Sequence, residues 1–399
     1  MALDLAALRA HFPSLAGGLA FFDGPGGTQT PRPVADAIAA TLTGPLSNRG
    51  GVSLSELNAE HAVAGFRAAF ADLLGVPADG IVHGRSATQL TYDFSRHLAK
   101  GWNAGDEIVL SRLDHDANVR PWVQAAERAG VTVRWIEIDV TTMELDLDSY
   151  ERALSTRTRL VAVTAASNVL GTVPPVRRIA DRAHAVGAYV YVDGVHYAAH
   201  RPVDVSALGA DLFVCSPYKF LGPHCGVLAA DPEFLGTLRP DKLVPSSDAV
   251  PERFEFGTLP YETLAGATAA VDFLAEMDPG EGTTRRERLG RSFDSLHEHE
   301  LALRTRLEEG LRALGDAVTL YSKAPERTPT LLMDLEGRDA REAQSHLAAR
   351  GVVAPAGSFY AYEPFTALKL PDPALRVGLA PYTTDDDVDR LLDGLATFL

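Results

Sequence analysis

"AYVYVDGVHYAAHRPVDVSALGADLFVCSPYKFLGP", residues 188–223, holds two short apolar runs, and each stops at polar residues. The first ends at Asp193 and the second at Ser216 and Lys219. Runs this short, rich in Val, Tyr and Phe, read as strands, and their lack of polar alternation marks strands covered on both faces. A lone lysine at a strand end has an ordinary explanation, a side chain reaching for solvent. An aspartate followed by glycine has one too, a cap that opens a turn. The neighbouring stretches bear on both.

Working outward, "GDEIVLSRLDH" (105–115), "VTVRWIEID" (131–139) and "TRLVAVTAASN" (158–168) are further β-rich runs. Helix-like stretches separate them: "NVRPWVQAAERAG" (118–130), "LDSYERALS" (147–155) and "VRRIADRAHAVG" (176–187). Apolar strands joined by helices predict an α/β fold around a mostly parallel sheet with helices on both faces. Ligands of such sheets bind beyond the carboxyl ends of the strands. The residues there are His115, Asn168, Asp193 and Lys219. All four are polar, and that agreement marks a site.

A long helical segment follows, from "TLAGATAAVDFLAEM" (263–277) to "HELALRTRLEEGLRALG" (299–315). The remainder reads as a smaller α+β unit: strand 328–337, helix 339–351, strand 375–382, and a closing helix whose capping box starts at Thr384. The expected division is a large domain over 21–264 and a small one over 265–399 joined by residues 1–20. The first residues, "MALDLAALRAHFPSLAGG", read as a short amphipathic helix and lack the basic start of a signal peptide. A cytoplasmic protein is expected.

The 399 residues are 46% hydrophobic and 23% charged, values of a globular chain with a substantial core. Fifty-three acids against 37 bases leave a net charge of −16, which argues against a nucleic-acid partner. No stretch is long and apolar enough to span a bilayer. Two cysteines, Cys215 and Cys225, exclude a disulfide framework and lack the spacing of a zinc site. They read as packing residues, and no metal is expected.

A carboxylate after an apolar run is costly to bury without a cation or donors. Paired with a lysine at the next strand's end, Asp193 matches what pyridoxal 5′-phosphate requires. The amine condenses with the cofactor's aldehyde, and the carboxylate keeps the ring nitrogen protonated. The phosphate needs donors at a helix N-terminus, and "HGRSATQLTYDF" (83–94) places Ser86, Ala87 and Thr88 there. The ring needs a flat neighbour, for which His115 serves, and the phenolic oxygen a polar one, for which Asn168 serves.

Over nearly its whole length the chain resembles the fold-type I pyridoxal-phosphate enzymes of the class V aminotransferase and cysteine desulfurase family. "DHDANVRPW" (114–122), "SNVLGTVPPV" (167–176) and the block from Asp193 to Lys219 carry the resemblance, with "RFEFGTLPYE" (253–262) and "LRVGLAPYTT" (375–384). The resemblance implies a seven-stranded large domain with a smaller C-terminal one, and a homodimer with shared active sites. It implies Lys219, Asp193 and His115 as catalytic residues. Ser216 and Tyr218 would join Thr88 near the phosphate, and Gly257 and Thr258 would reach the phosphate in the partner subunit. His196 stands where many relatives have glutamine near the cofactor oxygen, and its titration is expected to add a pH dependence. Arg376 would clamp the substrate carboxylate with its planar fork. "FFDGPGGTQTPRPV" (21–34) and "LSNRGG" (46–51) resemble segments lining the entrance, which makes Gly26, Gly27 and Arg49 candidate substrate contacts.

One departure matters. Desulfurases of the family carry a nucleophilic cysteine on the loop before the arginine strand, and here that region is "VVAPAGSFYAYEPF" (352–365). No hydroxyl replaces a thiolate as a sulfur acceptor. Ser358, Phe359 and Tyr360 are expected to shape the substrate pocket instead. The expected activity is β-elimination, a C–S lyase acting on a cysteine-derived amino acid, without persulfide formation. The alternatives are an aminotransferase or a decarboxylating deaminase, or, from another class, a non-catalytic binding relative.

Overall fold

The computed structural model describes residues 3–280 and 282–399. Its main sheet has seven strands: β1 (Ile81–Gly84), β2 (Glu107–Ser111), β3 (Thr132–Ile136), β4 (Thr158–Thr164), β5 (Tyr189–Asp193), β6 (Leu212–Cys215) and β7 (Gly226–Ala230). Their spatial order is β1-β7-β6-β5-β4-β2-β3. All neighbours are parallel except around β7, which runs antiparallel to both β1 and β6. The expected mostly parallel sheet is therefore present.

Successive strand residues point to opposite faces, and the core divides accordingly. Val161, Val163, Val190, Val192 and Phe213 join one apolar cluster, while Leu160, Ala162, Tyr191, Leu212 and Val214 join another on the opposite face. This two-sided burial is why the strands show no polar alternation. β3 is one of the two edge strands, and its half-exposed Arg134 pairs with Glu107 of β2.

Helices α1 (Arg32–Thr43) and α2 (Leu54–Leu74) pack against α4 (Tyr261–Ala275), and α3 (Ala87–Ala99) follows β1 directly. Gly266 lets α4 approach α1: a Cβ there would lie 2.5 Å from Ile38 Cγ1. The long helical segment resolves into α4 and α5 (Arg285–Ala313), with Pro279 between them. A second sheet, from β8 (Val318–Leu320), β9 (Thr330–Leu335), β10 (Ala356–Gly357) and β11 (Ala374–Gly378), has the order β10-β11-β9-β8. With Ala20, Phe22 and the closing helix Asp385–Phe398 it encloses a third apolar cluster. The N-terminal helix Leu5–Ala10 buries Leu8 in the first cluster, beside Phe12. Among the described residues no helix is long and apolar enough to cross a membrane.

His97 on α3 exposes a pH sensitivity of this core. Both its ring nitrogens are buried without hydrogen-bond partners among the described residues, and its ring packs beside those of Phe94 and Phe254 at 5.5 and 5.8 Å. Burial, helped by the Lys100 charge, brings its pKa down to about 4. The unfolded chain binds this proton near pH 6.5, so the stabilising contribution is complete above that pH and is lost as pH falls towards 4. A shift of this size is worth about 3 kcal/mol, of which about 2 disappears between pH 7 and pH 5. His97→Leu is expected to lose about 2 kcal/mol less than the parent over that interval in urea unfolding. Equal acid losses in the two proteins would contradict this origin.

Candidate active site

Beyond the carboxyl ends of the central strands lies a cavity. It draws residues from five places in the fold. The β1–α3 junction supplies Ser86, Ala87 and Thr88, and the turn after β2 supplies His115. β4 and its following turn supply Thr164 and Asn168, β5 supplies Asp193 and then His196, and the turn after β6 supplies Ser216, Tyr218 and Lys219.

Ser86 caps α3, its hydroxyl accepting from Gln89 N–H at 3.1 Å. The start of this helix presses on β7, where a Cβ at Gly226 would lie 2.3 Å from the Ser86 carbonyl carbon. Glycine is needed for that approach, which sets the free N–H groups of the first turn at the cavity wall.

Lys219 is only 6% exposed, so the solvent-reaching alternative fails. Burial, with Arg376 adding like-charge repulsion, brings its pKa down to about 7 against the pull of Asp193. Asp193 is buried too, and desolvation raises its pKa while the Val195 N–H and Lys219 oppose the rise. Its Oδ1 accepts from Val195 N–H at 2.9 Å. The turn-cap and cavity-wall readings of Asp193 thus hold together, since the carboxylate has two oxygens.

His115 accepts from Ala117 N–H through Nδ1 at 3.0 Å, and burial brings its pKa down to about 4, leaving a neutral flat ring. Asn168 donates from Nδ2 to the Phe359 carbonyl at 3.1 Å, while its Oδ1 is buried without a partner. Tyr218 stacks on His224 with centroids 4.9 Å apart.

The expected titration of His196 is corrected by its surroundings. Burial and the neighbouring His200 hold its pKa well below the usual imidazole range, so it stays neutral near pH 7. Its Nε2 hydrogen-bonds the Thr328 and Thr330 hydroxyls at 2.9 and 3.0 Å, and Nδ1 is buried without a partner.

Arg376 on β11 is 4% exposed and donates from Nη1 to the Asn168 carbonyl at 3.0 Å, which brings it to the rim of this group. Burial lowers its pKa to about 9. Gly26 and Gly27 pass close by: a Cβ on the former would lie 3.3 Å from Arg376 Nη2, and on the latter 3.3 Å from Tyr218 Cδ2. Tyr360 is exposed at the mouth with its ring 5.7 Å from His115, and the Ser358 carbonyl accepts from Ala361 N–H in the same turn.

Three expected residues stand apart within the chain. Arg49 is held by both carboxylate oxygens of Glu60 at 2.8 Å and by Glu252 at 3.3 Å, so its fork is already occupied. Gly257 and Thr258 are exposed, and Thr258 lines a separate surface cavity with His83 and His224. Sequence reasoning missed Thr91 and Thr164. Thr91 follows Thr88 by one helical turn, and Thr164 is the last residue of β4, opposite Asp193 in register.

The family model for aminotransferase class V matches residues 20–391. The chain belongs to the class V aminotransferase family. Within it, the chain is 31% identical to an uncharacterized protein of Mycobacterium tuberculosis, with 100% of both chains covered. It is 32% identical to a probable cysteine desulfurase of Mycobacterium leprae, covering 98% of this chain and 96% of that one. Among solved structures it is similar to a cysteine desulfurase of Escherichia coli, with a TM-score of 0.88, 25% identity, and 100% and 98% of the two chains covered. Class V aminotransferases and cysteine desulfurases are pyridoxal-phosphate enzymes, and this chain is an enzyme of that kind.

The cavity of this class V member suits the cofactor on its own terms. Two buried polar atoms on its wall, Asn168 Oδ1 and His196 Nδ1, have no partner among the described residues. One amine, one carboxylate and a helix N-terminus bordered by hydroxyls face the same space. Those are the groups that an aldehyde, a ring nitrogen and a phosphate need.

Proposed function

We propose that this enzyme eliminates a sulfur substituent from the β-carbon of a cysteine-derived amino acid and releases it as a free thiol. The observation that carries this reading is that no thiol of the chain lines the cavity. Cys215 and Cys225 are the only cysteines, and both are buried, the first at the end of β6 and the second just before β7. Burial pushes the Cys215 thiol far up and the Cys225 thiol to about 12, so neither supplies a thiolate near neutral pH. Sulfur leaving the substrate has no protein acceptor, which disfavours persulfide formation.

Pyridoxal phosphate, when bound, supplies an aldehyde for the substrate amine and a ring that withdraws electrons from the α-carbon. The chain's residues do the rest in this reading. Arg376 binds the substrate carboxylate with both arms of its fork, in a setting with little competing water. Lys219, with its pKa near 7, is neutral often enough to take the α-proton as general base. Asp193 holds a proton on the ring nitrogen, and His115 and Asn168 fix the ring's place. Ser86, Thr88, Ser216 and the first turn of α3 bind the phosphate, with Tyr218 beside them, and His196 serves the phenolic oxygen as a neutral imidazole. As the α-C–H bond breaks, its electron pair forms the Cα–Cβ double bond. The Cβ–S bond breaks, sulfur leaves with its pair, and it takes up a proton. The enamine released then hydrolyses to pyruvate and ammonia.

A homodimer belongs to the same proposal: Gly257 and Thr258, exposed beside the half-exposed Phe256, are offered to a partner's phosphate site. A cytoplasmic location accords with two free thiols.

The test is product analysis with S-substituted cysteines. Equal amounts of thiol, pyruvate and ammonia are expected, with no sulfur left on the protein. Accumulation of pyridoxamine phosphate with a 2-oxo acid would replace elimination by transamination, and carbon dioxide release would replace it by decarboxylation.

A further inference from the structure

Arg376 is a buried cation that forms no ion pair within the chain among the described residues; the nearest acidic influence is Asp23. Its Nε is buried without a partner, and one Nη1 bond goes to the Asn168 carbonyl. What lies against its flat face is the Phe359 ring, 3.8 Å from the guanidinium carbon. A guanidinium so stripped of water gains more from an aromatic face than an exposed one does.

The ring is put there by an unusual backbone. Phe359 and Tyr360 are consecutive left-handed residues, with φ of 54° and 55°. Bulky side chains disfavour this region, and two in a row persist only where the surroundings hold them. Both carbonyls are held: Asn168 Nδ2 donates to Phe359 O at 3.1 Å, and Asp116 N–H to Tyr360 O at 2.8 Å. The following helix, Tyr362–Leu368, is pinned through Glu363, which is buried and accepts from Arg112 and Arg120. The turn is thus stapled at both ends to the wall that carries Asn168 and His115.

We propose that Phe359 is a positioning residue for Arg376, its ring keeping the guanidinium plane oriented for an incoming carboxylate while the Asn168 amide holds the turn that presents it. The inference rests on the reading of Arg376 as the carboxylate clamp. It also gives the loop at 358–360 a role in selecting substrates by their α-carboxylate.

The experiment measures binding of L-alanine and L-alaninamide to the holoprotein, ligands with the same amine and side chain that differ in the carboxylate. Phe359→Leu keeps an apolar side chain of similar bulk without the aromatic face, and is expected to cut the preference for the acid by about fivefold to tenfold. Phe359→Tyr, which restores the face, is expected to keep the preference within about twofold. In turnover, Phe359→Leu raises KM and leaves kcat nearly unchanged. Arg376→Ala is the reference. If it abolishes the preference while Phe359→Leu keeps it, Phe359 has no positioning role and the clamp stands. If Arg376→Ala also keeps the preference, the clamp and the positioning role both fall.

Discussion

Lys219→Ala is expected to lower kcat/KM by about a thousandfold or more, the loss of a proton-transfer group together with the amine that tethers the cofactor. The side chain is buried, faces the cavity, and has its pKa brought down to about 7 by that burial. It is the sole lysine on the cavity wall. Removing it leaves no other amine of the chain able to take the α-proton. Truncation creates space rather than a clash, so the protein is expected to fold and to bind the cofactor without a covalent tether. A small primary amine added to the assay should recover part of the rate. Undiminished turnover in the variant would remove Lys219 from the chemistry.

The second large effect belongs to Asp193. Asp193→Asn keeps an oxygen to accept from Val195 N–H, so the turn after β5 survives. What disappears is a buried negative charge, and a neutral amide no longer holds a proton on a ring nitrogen. Loss of one preorganised electrostatic group of this kind costs about a hundredfold to a thousandfold in kcat. Cofactor affinity is expected to fall less, because the residues proposed to hold the phosphate at α3 are untouched. A variant with parental kcat would show that the carboxylate serves only as a cap.

Both predictions concern residues that were legible in the sequence, and the reason is geometric. In a parallel sheet every strand delivers its carboxyl end to one edge, so an apolar run that stops at a polar residue already announces position. Asp193, Lys219 and Asn168 were found in that way, and Ser86 by its place before a helix. The halves of the core were hidden in the same runs, because strands buried on both sides lose their alternation. Other features arise only when distant segments meet. Thr328 and Thr330 reach His196 across more than a hundred residues, and burial with the neighbouring His200 keeps that imidazole neutral. Phe359 reaches Arg376 through a backbone turn that no periodicity encodes. Arg49 looked available until its two glutamates were in place. Pro279 lies in plain view in the segment between α4 and α5, where it does not continue a helix.

The central claim is that the cofactor's carbon is joined to the Lys219 amine. Borohydride reduction of the holoprotein followed by peptide mapping tests it directly. The account predicts a phosphopyridoxyl group on the peptide containing Lys219 and on no other. The same mass on Lys100, Lys242, Lys323 or Lys369, or its absence from every lysine of a fully loaded protein, would contradict it.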